Sequence, residues 1–163
     1  MLVLMCAIEN RVTGAEGQHP MDPRDDNDRA LLEEIVTGLT DMMGHNAFEE
    51  AVLFPLLNDR NIGGDALSEL LSEEHLVIEP MARRVRTLAA DILEQGVRGS
   101  SAETFHDAAL ILARNLIPHI QKEEMAVVQR LASLLKPDVD RKLAHSYATE
   151  CQRLAEVHRN SHS

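Results

Sequence analysis

Apolar residues along this chain recur every three to four positions, in long stretches separated by short polar or glycine-containing segments. That spacing puts them on one face of an α-helix, where residues three and four apart are neighbours. From Asp28 to about Asn58 the stripe is Leu31, Ile35, Met42, Leu53 and Leu56. From about Ala66 to Gln95 it is Leu71, Ile78, Ala82, Val85, Ala89 and Ile92, and from Ser101 onwards Phe105, Ala109, Leu112, Leu116, Val127 and Leu134. A short helix fits residues 1–12, with Leu2, Met5, Ile8 and Glu9 on one side, and residues 139–158 read as a last amphipathic helix before a polar tail.

The breaks are equally regular. Residues 13–27 are polar and rich in glycine and proline and predict a loop holding His19, with Asn27 or Asp28 as the N-cap of the helix that follows. Asp59 to Asp65 closes the second helix, Gly96 and Gly99 the third, and Lys136-Pro137-Asp138 the fourth. Pro55 should loosen the last turns of the second helix, and Pro118 should kink the fourth, because its ring opposes the carbonyl of Arg114. Four long segments joined by short turns predict an all-α, up-down antiparallel four-helix bundle with a short first helix and an extra C-terminal helix. Residues 1–137 would form the bundle and 138–163 the C-terminal helix and tail.

Composition supports helices. Helix formers dominate and the aromatics are Phe48, Phe54, Phe105 and Tyr147 alone, so strands have little to draw on. A formal net charge of −11 argues against nucleic acid and anionic membrane as partners. Cys6 and Cys151 have no metal-binding or redox spacing, and Met1 to Ile8 is too short for a membrane span and lacks the features of a signal peptide. A cytoplasmic protein is expected.

The picture changes where polar residues interrupt the apolar stripes. His45-Asn46-Ala47-Phe48-Glu49-Glu50 returns 74 positions later as His119-Ile120-Gln121-Lys122-Glu123-Glu124. In each copy a histidine and a glutamate four apart share a helix face, and both fall on the inward stripe. His75 lies on the inward stripe of the third helix. An ionised carboxylate in an apolar core costs several kcal/mol unless a cation or strong donors compensate it. A metal ion bound by His45, Glu49, His75, His119 and Glu123 would supply that charge, and mixed imidazole and carboxylate ligands suit iron, manganese or zinc. The alternative is a metal-free bundle in which each histidine donates to its own glutamate and the pairs fix helix register.

These residues carry a resemblance. HNAFEEAVLFPLL, EEHLVIEPM and LIPHIQKEEMAVV are similar to the second-, third- and fourth-helix motifs of the hemerythrin-like HHE cation-binding family, over about residues 1–135. The resemblance is to its bacterial and iron-centre-repair members more than to invertebrate hemerythrin, whose third helix carries two histidines four apart; here Glu79 is the partner of His75. It implies a non-heme di-iron centre in which His45, His75 and His119 are terminal ligands while Glu49 and Glu123 bridge the irons. The family also has a histidine on the first helix. Aligning Ile8-Glu9 with Ile78-Glu79 puts Met5 in its place, one turn from the chain start where helices fray. A thioether is a poor ligand for ferric iron, so the site should be asymmetric, hold one metal ion, or be completed by water or by Glu9 or Glu79, whose other reading is a salt bridge at the core edge. Asp41 and Glu74 stand where they would tune ligand basicity or line an entry path.

Two classes of function follow from the resemblance: reversible binding or sensing of O2, NO or redox state, and iron-dependent redox protection or repair of damaged iron centres. A helical adapter that takes a protein partner through its last helix is the metal-free alternative. Larger repair proteins of the family carry an N-terminal Cys-bearing domain with no counterpart here, which lowers the iron-donation reading, and with no DNA-binding or signalling domain attached a sensor is expected to need a separate partner.

Overall fold

The structure, a computed structural model, describes residues 1–13, 21–59, 65–128, 141–149 and 153, and every regular element among them is helical. Helix α1 is Leu2–Thr13 and α2 Asp26–Phe48. A π-helical stretch, Glu49–Leu53, follows, then α3 Phe54–Asp59, α4 Asp65–Gln95 and α5 Ser101–Lys122, continued by a second π-helical stretch, Glu123–Val128. Residues 141–149 are helical as well. The expected positions of His19 and Leu134 lie outside the described residues. No described helix is long and apolar enough to cross a membrane.

The chain divides into two compact units, Met1–Asp41 with Glu74–Gln121, and Met42–Glu73 with Lys122–Ser163. In the first, α1 buries Leu4, Met5, Ile8 and Val12, so its inward stripe includes Leu4 where the sequence suggests Leu2. Met5 is not frayed: its N–H donates to the carbonyl of Met1 at 3.0 Å and its side chain is fully buried, at 0% exposure. Gly38 of α2 admits the close approach of α1, since a Cβ there would stand 2.5 Å from Leu4 Cδ2. The stripe of α2 runs through Leu32, Ile35 and Leu39, one residue on from the expected Leu31. The cap of α2 is Asp25, not Asn27 or Asp28. Its carboxylate accepts the N–H groups of Asn27 and Asp28 at 3.0 and 3.1 Å. Asp28 instead forms a two-pronged pair with Arg11 of α1 at 2.8 and 2.9 Å and accepts the N–H of Asp22.

The first unit is completed by α4 from Glu74 on and by α5. Ile78, Ala82, Val85, Ala89 and Ile92 are buried along α4, and Phe105, Ala109, Leu112, Ala113 and Leu116 along α5. Gly96, at φ 72°, ends α4 with its N–H on the carbonyl of Ile92, because a left-handed residue is what lets the chain turn away there. His106 of α5, to which the sequence lends no role, donates from Nε2 to the carbonyl of Val12 at 2.7 Å and so satisfies an acceptor in the last turn of α1.

In the second unit Phe48, Leu53, Phe54, Leu57, Leu71 and Val127 form one core cluster, with Val52, Leu67 and Leu143 packed against it. Leu57 is the buried residue where Leu56 is expected. Tyr147 meets Phe48 edge to face, ring centroids 5.2 Å apart, so residues 141–149 lie on this core. The loosening expected from Pro55 occurs just ahead of it. Pro55 has no N–H, its ring opposes the carbonyl of Ala51, and the chain answers with the π stretch, in which the N–H of Phe54 reaches back five residues to Glu49. Pro118 lies inside α5, and the change to π geometry comes at Glu123.

Candidate metal centre

Each helix delivers its polar residues by the register that buries its apolar ones. In the first unit His75 rides on the buried stripe of α4 and His119 on that of α5, both about as buried as the leucines around them. Their rings meet edge to face with centroids 4.8 Å apart. His119 donates its Nδ1–H to Glu74 Oε2 at 2.9 Å. That bond fixes the neutral ring as the tautomer whose Nε2 carries the lone pair. Nε2 of His75 and Nε2 of His119 are buried and take no hydrogen bond.

The second unit holds His45, Glu49 and Glu123. One donor atom from each lies within 4.8 Å of the others, close enough to share an ion. His45 Nε2 stands 3.3 Å from Glu49 Oε1. Glu49 is buried, at 2% exposure, and Glu123 half-buried. His45 departs from expectation: its side chain is 47% exposed and does not point into the core. The physical reason is its angle. Successive helical residues turn by about 100°, so His45 sits about 40° behind Glu49, at the edge of the stripe that Met42, Asn46 and Glu49 occupy. Its ring reaches the carboxylate from the solvent side.

Two features of this site have no counterpart in the sequence reading. Both glutamates stand at the first residue of a π stretch, Glu49–Leu53 and Glu123–Val128, so each copy of the repeat leaves α geometry at its carboxylate. Single π turns inside α-helices occur often at functional sites. The signal for the first was Pro55; the second has none. Asn46 is 2% exposed with no hydrogen-bond partner for Nδ2, and its only sequence signal was its place three residues before Glu49.

The further candidates are not drawn in. Glu79 pairs with Arg83 at 2.9 Å, the salt-bridge reading. Glu9 is half-buried, and among the described residues neither it nor Glu79 belongs to a group of donors able to share an ion. Asp41 is exposed. Met5 is buried but belongs to the packing of α1. Glu74 contacts a histidine, though it is His119 and not its neighbour His75.

Imidazole and carboxylate at this spacing, with Glu49 removed from water, form a donor set that fits a divalent or trivalent transition metal. The sequence model of the hemerythrin HHE cation-binding domain matches residues 4–132. The chain belongs to the hemerythrin HHE family. No individual curated protein and no solved structure gives a significant match. The HHE domain is a cation-binding domain, and both copies of the repeat, with His75, fall inside the matched span. Residues 141–149, which pack on the second unit's core through Leu143 and Tyr147, lie beyond it.

Proposed function

We propose that His45, Glu49, His75, His119 and Glu123 together hold a non-heme di-iron centre, and that the protein binds or senses O2, NO or redox state there. The observation that carries this reading is the convergence of the His45, Glu49 and Glu123 donor atoms to within 4.8 Å, from the two copies of one repeat. His119 precedes Glu123 by a single turn, which supports joining the His75 and His119 pair to the same centre. In this arrangement the three histidines and the two glutamates would hold the ions, the glutamates supplying the negative charge. With Met5 in place of a fourth histidine, the donor set would be one imidazole short for a second ion. Manganese or zinc, or a single ion, is the alternative loading.

Iron so held supplies reversible electron transfer and an affinity for small diatomic ligands. The chain's own residues do the rest. Glu49 and Glu123 supply negative charge that balances the cations, His119 presents Nε2 because Glu74 holds its Nδ1–H, and His45 closes the site from the solvent side. An up-down four-helix bundle over residues 1–137, with 138–163 appended, and a cytoplasmic location complete the proposal. The test is iron content, with an optical spectrum of aerobic protein. An oxo-bridged ferric pair absorbs in the near ultraviolet, and a fully folded His119→Ala/Glu123→Ala variant that kept the wild-type iron content would remove the assignment.

A further inference from the structure

We infer that Glu74 is a positioning residue for the metal site, acting through His119 without itself being a ligand; the inference rests on the centre proposed above. The geometry is one hydrogen bond between two helices of one unit: His119 Nδ1 of α5 to Glu74 Oε2 of α4, 2.9 Å. The imidazole is 2% exposed and the carboxylate 23%. A charge-assisted bond from a buried ring is short and directional, so it selects a single neutral tautomer and a single ring orientation. With Nδ1–H committed to Glu74, Nε2 alone has a lone pair to offer.

Glu74 immediately precedes His75, so α4 delivers one imidazole directly and orients a second on the facing helix. The rings of His75 and His119 are set at 68° to each other with centroids 4.8 Å apart. A half-turn of the His119 ring about Cβ–Cγ would put Cδ2 where Nδ1 stands and Cε1 where Nε2 stands, and so turn the donor away. The bond to Glu74 removes that freedom before any metal arrives. A carboxylate on the second nitrogen also raises the basicity of the coordinating one. Loss of such a partner costs about ten- to a hundredfold in metal affinity.

The experiment compares wild type, Glu74→Gln and Glu74→Ala as full chains. Ferrous ion is titrated anaerobically, and the tautomer of His119 is read in metal-free protein by long-range proton–nitrogen NMR. Wild type should show His119 protonated at Nδ1, and Glu74→Ala should lose that preference and bind ferrous ion about ten- to a hundredfold more weakly. Glu74→Gln keeps an acceptor oxygen and the side-chain volume, so it should retain the tautomer with a smaller loss of affinity. Thermal melts of the metal-free proteins show whether each variant is folded. A wild type that takes up no ferrous ion overturns the centre and with it this role of Glu74. If wild type binds the ion and a folded Glu74→Ala or Glu74→Gln binds it equally well, or if His119 in wild type is protonated at Nε2, Glu74 alone is misassigned.

Discussion

Substituting Glu123 by Gln should move stability in opposite directions in the metal-free and metal-loaded protein. The donor oxygens of Glu49 and Glu123 lie within 4.8 Å of each other. Two unit charges at that distance repel by about 3.5 kcal/mol at an effective dielectric constant of 20. His45, 3.3 Å from Glu49 and half in solvent, offsets part of this when protonated, as does any proton the pair takes up. What remains for Glu123→Gln to relieve is about 1 to 3 kcal/mol. At about 2–4 °C per kcal/mol for a chain of this size, the metal-free variant should melt about 2–12 °C above metal-free wild type. In the loaded protein the same carboxylate neutralises metal charge, and its loss should lower both metal affinity and melting temperature. The assay is paired calorimetric melts of both proteins at neutral pH, after chelator dialysis and after anaerobic loading with ferrous ion. A Glu123→Gln that destabilises the metal-free protein as much as the loaded one would refute the idea that two carboxylates are held together against their repulsion.

Three other outcomes are expected. His119→Ala should lose at least one metal equivalent, measured by elemental analysis, and should also destabilise the metal-free protein because the imidazole is as buried as the core leucines. Met5→Leu, which keeps volume at a fully buried position, should cost under about 1.5 kcal/mol and leave iron affinity unchanged, while Met5→His should raise affinity; an equilibrium iron titration separates packing from ligation. Asp28→Asn should cost about 2 kcal/mol at pH 7, because the Arg11 guanidinium beside Asp28 holds its carboxyl below the ordinary 3.8, and both side chains are largely buried. The folded-state value is depressed, so this contribution is present above pH 3.8 and fades as pH falls through the lowered value; urea melts at pH 7 and in strong acid should show the wild-type advantage shrinking.

What could be read from the sequence follows from how regular each helix is. Along α4 the residues Leu71, His75, Ile78, Ala82, Val85, Ala89 and Ile92 are all buried as the period predicts, because nothing between Asp65 and Gln95 breaks α geometry enough to shift the register, Pro80 included. From α2 through α3 the same logic misplaces Leu31 and Leu56 by one residue and turns His45 inward. That segment passes through π geometry, and a histidine at a stripe's edge has the same spacing to Glu49 as one at its centre. The candidate donors were therefore legible as a list of residue types. Which side His45 approaches from, and which histidine Glu74 serves, depend on the angle between faces and on contacts between helices, which no local period encodes. Asp25 was missed as a cap because Asp25, Asp26, Asn27 and Asp28 are all competent, and only backbone geometry chooses among them.

The contact between Phe48 and Tyr147 gives the molecule a built-in optical reporter. Tyr147 is the only tyrosine and there is no tryptophan, so its emission dominates the intrinsic fluorescence over that of the three weakly emitting phenylalanines. Its ring rests on the residue that immediately precedes Glu49, in a helical segment beyond the span shared with the family. Iron bound at the neighbouring carboxylate would quench that emission, and detachment of residues 141–149 would shift it toward that of tyrosine in water. Loading with zinc, which does not quench through d-electron states, separates the two causes. A label-free titration can thus ask whether the appended segment responds to the metal.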